Sequence, residues 1–111
     1  MKNKVDAALA MLGLATRAGR TVSGTENCGN AVRYDKAHLV LAATDASPKT
    51  VAPLRRLCGH HVVPVIDVAD RERLGKFTGK DSRAVVAVTD KGFADRIQEL
   101  LEAAESESKM D

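Results

Sequence analysis

Lys76, Lys80 and Arg83 stand close together in the stretch Leu74-Gly75-Lys76-Phe77-Thr78-Gly79-Lys80-Asp81-Ser82-Arg83. Cations on a glycine-bounded turn of small residues can neutralise phosphates and let the backbone come near a polyanion. A second candidate is Ser23-Gly24-Thr25-Glu26-Asn27-Cys28-Gly29-Asn30. A helix opening at Ser23 or Gly24 offers unpaired N–H groups and the positive end of its dipole, which together form an anion site. Gly24 has no side chain to block close approach. Thr25, Asn27 and Asn30 add neutral donors and acceptors, which can contact base edges as well as phosphates. Plain capping of the helix by Ser23 would account for the same residues structurally.

Other chemistries lack their residues. Gly24 and Gly29 have the glycine spacing of a phosphate-binding loop, but Asn30-Ala31 follows where such a loop continues Lys then Ser/Thr. Cys58-Gly59-His60-His61 gathers potential metal ligands, yet so short a run cannot easily point all of them at one ion, and no further partner is evident. No Ser/His/Asp or Cys/His arrangement marks a nucleophile. The expectation is therefore a non-enzymatic protein with no metal, no cofactor and no small-molecule substrate. The aromatic residues are Tyr34, Phe77 and Phe93. That is too few for a platform of stacked bases, so a nucleic acid would be read by folded shape.

Composition agrees with one domain. The chain has 111 residues, 44% of them hydrophobic, enough for a single layered core. The net charge of +2 conceals a division: residues 1–90 carry 14 Lys/Arg against 9 Asp/Glu, and residues 91–111 carry 3 against 6. A basic body with an acidic last segment suggests a one-sided positive face. Cys28 and Cys58 form neither a disulfide framework nor a zinc pattern and fit a reducing cytoplasm. The N-terminus does not resemble a signal peptide, and no apolar run approaches the ~18 residues of a membrane span.

These candidates need elements to position them. Apolar spacing predicts a first helix over about 5–18, ended by Gly19, then a short strand at Thr21-Val22-Ser23. A second helix runs to about Tyr34, and the apolar run 38–43 is a buried strand. Ser47-Pro48 starts a third helix, which Gly59 ends, with a kink or delayed start at Pro53. A strand over 62–68 has Pro64 near its start, which argues for a sheet edge. A short helix over 70–77, an inner strand over 84–88 and a final helix capped by Asp90 complete the order. In that helix Phe93, Ile97, Leu100 and Leu101 form the core stripe. Alternating helices and strands give an α/β class, a three-layer sandwich with a small mixed sheet. The domain should span 1–105, with 106–111 a flexible acidic tail.

Taken in order, several segments resemble the kink-turn-binding ribosomal protein family of the archaeal large-subunit type, and its bacterial YlxQ-type branch most closely. They are Leu12-Gly13-Leu14-Ala15 with Arg17-Ala18-Gly19-Arg20, Val22-Ser23-Gly24, the run 39–47, Leu74-Gly75-Lys76-Phe77-Thr78-Gly79-Lys80 and the run 83–93. The resemblance covers about residues 8–100. It implies an α-β-α sandwich around a four-stranded mixed sheet. It also implies that structured, kink-turn-like RNA is held at Gly24, Thr25, Glu26, Asn27 and Asn30 and at Lys80, Asp81, Ser82 and Arg83. The implied setting is a cytoplasmic ribonucleoprotein of the ribosome or translation machinery, with ribosomal RNA one candidate partner and no membrane. One departure stands out. The family's signature reads Gly-x-Asn-Glu-x-x-Lys, whereas here Glu26, Asn27 and Asn30 occupy its last three named positions. A protein–protein interaction module on the same scaffold, with weakened RNA recognition, is the alternative.

Overall fold

The computed structural model describes residues 3–109, with side chains through residue 107. The elements are α1 (Lys4–Arg17), β1 (Thr21–Ser23), α2 (Thr25–Arg33), β2 (Leu39–Ala43), α3 (Pro48–His61), β3 (Val65–Ala69), α4 (Arg71–Phe77), β4 (Val85–Val88) and α5 (Lys91–Lys109). The four strands form one mixed sheet in the order β1-β4-β2-β3. β4 runs antiparallel to both β1 and β2, and β2 is parallel to β3.

Strand alternation divides the core into two halves. Leu39, Leu41, Ala43, Val86 and Val88 face one side, where they meet Leu9 and Leu12 of α1, Leu74 of α4 and Ile97 of α5. Val40, Ala42, Val85 and Ala87 face the other, against Cys28 and Val32 of α2 and Val51, Leu54 and Cys58 of α3. The result is the expected α-β-α sandwich, with α1, α4 and α5 on one face and α2 and α3 on the other. Because both faces are covered, β2 and β4 are buried at every position, which is why they read as unbroken apolar runs.

Helix starts follow local chemistry. Asn3 accepts from the Asp6 N–H at 2.8 Å, Asp70 from Arg73 at 2.8 Å and Asp90 from Phe93 at 2.9 Å. Pro53 lies inside α3 without delaying its start, since Pro48 already holds the first turn. Two details differ from the sequence expectation. α3 passes through Gly59 to His61 and ends in a left-handed Val62 (φ 57°), so β3 starts later, at Val65. α5 continues beyond Glu105 to Lys109, and residues 110–111 of the expected tail lie outside the described residues. β3 is an edge strand, as Pro64 suggested.

Candidate nucleic-acid interface

Antiparallel pairing of β1 with β4 puts the end of one beside the start of the other. Ser23 pairs with Val86, and the Gly24 N–H donates to the Val85 carbonyl at 3.1 Å. The chain leaves β1 into α2 and enters β4 from the 78–83 loop, so both sequence candidates meet at one end of the sheet. The start of α3 comes close as well, because the Ala43 N–H donates to the Ala84 carbonyl at 2.8 Å.

At the start of α2 the capping residue is Gly24, and no side chain caps the helix. The structural role considered for Ser23 is therefore not the one it takes. Its hydroxyl instead accepts from Arg83 Nε at 3.2 Å, which ties the loop to β1. Gly24 has φ 93° and ψ 153°, backbone that side chains strongly disfavour. Thr25, Glu26, Asn27 and Asn30 are exposed. The Asn27 amide donates back to the Ser23 carbonyl at 3.1 Å, and Asn30 Oδ1 accepts from Arg33 at 3.3 Å. Glu26, in the first turn, suits the positive helix end electrostatically.

The 78–83 loop is folded firmly onto α4. Thr78 is buried, and its hydroxyl donates to the Leu74 and Gly75 carbonyls at 2.9 and 3.0 Å. The Lys80 N–H donates to Gly75 at 2.8 Å and the Arg83 N–H to Arg71 at 3.0 Å. A Cβ on Gly75 would lie 2.6 Å from the Ser82 Cα, so the loop backbone rests directly on that glycine. Lys76, Lys80, Asp81 and Ser82 remain exposed, while Arg83 is half-buried and also donates to the Ser82 carbonyl at 2.6 Å. Its bond to Ser23 holds Arg83 across the site.

Ion pairs separate the cations into two groups. Arg55, Arg71, Arg73, Lys91 and Arg96 each face a carboxylate. Among the described residues, Arg33, Lys76, Lys80 and Arg83 are in no ion pair, and neither are Lys4, Arg17, Arg20, Lys36, Lys49 and Arg56. Arg17 and Arg20 lie at the opposite end of β1 from Gly24. His61 Nδ1 stands 3.3 Å from Asp35, and Cys58 is buried in the α2/α3 half of the core, so the Cys58-Gly59-His60-His61 run does not converge. Burial pushes the Cys28 thiol up to about 12 and raises that of Cys58, so neither is poised as a nucleophile. A groove of about 230 Å³, missed in the sequence, lies between Thr25, Gly29 and Arg33 of α2 and Thr50, Pro53 and Leu57 of α3.

This arrangement of uncapped N–H groups, unpaired cations and small side chains is suited to a phosphodiester chain. Residues 6–98 match the ribosomal protein L7Ae/L30e/S12e/Gadd45 family. The chain belongs to that family. It is a non-enzymatic member. It is 42% identical over 92 residues to the RNA-binding protein YlxQ of Bacillus subtilis, a match covering 83% of this chain and 92% of that one. It is 32% identical over 97 residues to the large ribosomal subunit protein eL8 of Cenarchaeum symbiosum, covering 86% and 77%. A Bacillus halodurans structure described as a protein of unknown function superposes with a TM-score of 0.83 at 36% identity, covering 86% of this chain and 96% of that one. The 15.5kD RNA binding protein of Giardia lamblia shares the fold, with a TM-score of 0.79 at 19% identity and coverage of 96% and 92%. No helix among the described residues is long and apolar enough to cross a membrane.

Proposed function

We propose that this chain is a cytoplasmic RNA-binding protein that recognises structured, kink-turn-like RNA in association with the ribosome or translation machinery. The observation that carries this reading is the meeting, across the β1–β4 pairing, of the uncapped α2 start with the 78–83 loop. Gly24, Thr25, Glu26, Asn27 and Asn30 supply one side of the RNA contact, and Lys76, Lys80, Asp81, Ser82 and Arg83 the other. Relatives named as an RNA-binding protein and as a large-subunit ribosomal protein support the same class of partner.

The test is titration of the protein with a kink-turn duplex and a straight duplex of equal length at several salt concentrations. Both should bind at low salt, with the kink-turn duplex preferred, and affinity should fall steeply as salt rises. Failure to bind either RNA would reject the reading and favour a protein-interaction module, which the altered Glu26, Asn27 and Asn30 positions already suggest.

Arg83→Ala should weaken binding to both duplexes. Because Arg83 joins Ser23 to the loop at 3.2 Å, the substitution should also cost about 1 kcal/mol of stability. Thermal unfolding beside the titration separates the two effects. An intact melting temperature with intact binding would mean that Arg83 serves neither.

A further inference from the structure

The family resemblance implies a lysine at position 30, and this chain has Asn30 there, so the α2 face lacks the cation that the resemblance implies. The structure places another cation there. Arg33, one turn further along α2, turns back so that its guanidinium donates to Asn30 Oδ1 at 3.3 Å. The same guanidinium lies over Gly29: a Cβ built on Gly29 would stand 3.2 Å from Arg33 Nη1 and 3.7 Å from its Cζ. Any larger residue at position 29 would press on the group. The open space at Gly29 leaves room for the guanidinium, and the acceptor on Asn30 orients it.

That placement leaves the charge available. Arg33 is in no ion pair among the described residues, and the group it donates to, the Asn30 amide, is neutral. With Gly29 and Thr25 it forms the α2 side of the groove between α2 and α3, and Thr25 belongs to the uncapped first turn. A guanidinium fixed before a ligand arrives loses less conformational freedom on binding than a free lysine. Its fork geometry also suits two oxygens of one phosphate.

We infer that Arg33, seated on Gly29 and oriented by Asn30, binds an RNA phosphate in the groove between α2 and α3 and replaces the cation missing at position 30. This rests on the proposed RNA reading and adds to it a residue that the family signature does not contain. It also gives Asn30 a purpose: a lysine at that position would repel the guanidinium that asparagine accepts.

The experiment measures binding of a kink-turn duplex and a straight duplex by wild type, Arg33→Ala, Asn30→Lys and the double variant, with thermal unfolding of each. Arg33 is exposed, so its removal should leave the melting temperature nearly unchanged. Arg33→Ala should weaken kink-turn binding about tenfold and lower the salt slope by about one. Adding Asn30→Lys to Arg33→Ala should recover most of the loss, while Asn30→Lys alone should gain much less. Gly29→Ala should weaken binding in the presence of Arg33 and have no effect in its absence. If wild type binds the kink-turn duplex and Arg33→Ala binds it equally well, the inference is overturned while the RNA reading stands. Additive effects of positions 30 and 33 would show that the residues act separately and overturn it too. If wild type binds neither duplex, both fall.

Discussion

Replacing Gly75 with alanine is expected to lower the melting temperature by about 10 °C or more and to abolish tight RNA binding. The added Cβ would stand 2.6 Å from the Ser82 Cα, 2.8 Å from the Ser82 nitrogen and 2.9 Å from the Asp81 carbonyl carbon. These are backbone atoms, so no side-chain rotation relieves the contact. Overpacking of this kind costs about 1–3 kcal/mol, and each kcal/mol shifts the midpoint of a domain this size by about 4–8 °C. The loop would have to leave α4, which breaks the Lys80–Gly75 and Arg83–Arg71 backbone bonds and carries Lys80, Ser82 and Arg83 away from α2. Hydrogen exchange at the Lys80 and Arg83 amides reads the displacement directly. Unchanged protection at both would show that α4 yields instead of the loop.

The second large effect falls on Gly24, for the opposite reason. Nothing lies within 4 Å of a Cβ built there, so space is not the difficulty. The backbone is: φ 93° with ψ 153° is a conformation that L-residues hold only under strain of about 1–3 kcal/mol. Gly24→Ala should therefore destabilise the protein, and it should weaken RNA binding more than stability alone explains, because the turn aims the first N–H groups of α2. A D-alanine at position 24, introduced by chemical synthesis, takes the positive φ readily and meets open space. It should recover part of the lost melting temperature. No recovery at all would mean that the positive φ is not what requires the glycine.

These glycines show what the sequence could and could not disclose. Both are plain in the chain, and both bound the segments that became the candidate interface. The sequence does not reveal that one is needed for torsion and the other for contact. β2 and β4 were legible because burial on both faces demands unbroken apolar runs. The end of α3 was not, because Gly59 looks like a terminator, whereas Val62 takes the left-handed position (φ 57°). Local rules located the α2 start and the 78–83 loop separately. Their meeting depends on the β1–β4 register, which pairs residues more than sixty positions apart, as Ser23 with Val86. Arg33 escaped notice because its placement depends on the gap left by Gly29, a relation visible only once the helix is built.

The sheet also separates charge in space. α5, which carries much of the acidic surplus of the last 21 residues, lies on the face opposite α2 and α3. The α2/α3 side is the more basic of the two, with Arg33, Lys49, Arg55 and Arg56 against Glu26, so the molecule carries an electric dipole across the sheet. Near a polyanion this produces a torque that turns the acidic side away before any contact forms. Fewer encounters are then misaligned, and the gain belongs to the rate of capture rather than to the lifetime of the complex. Reversing Glu99 and Glu102 to lysine would raise net charge yet flatten the dipole, so charge and orientation would pull the association rate in opposite directions.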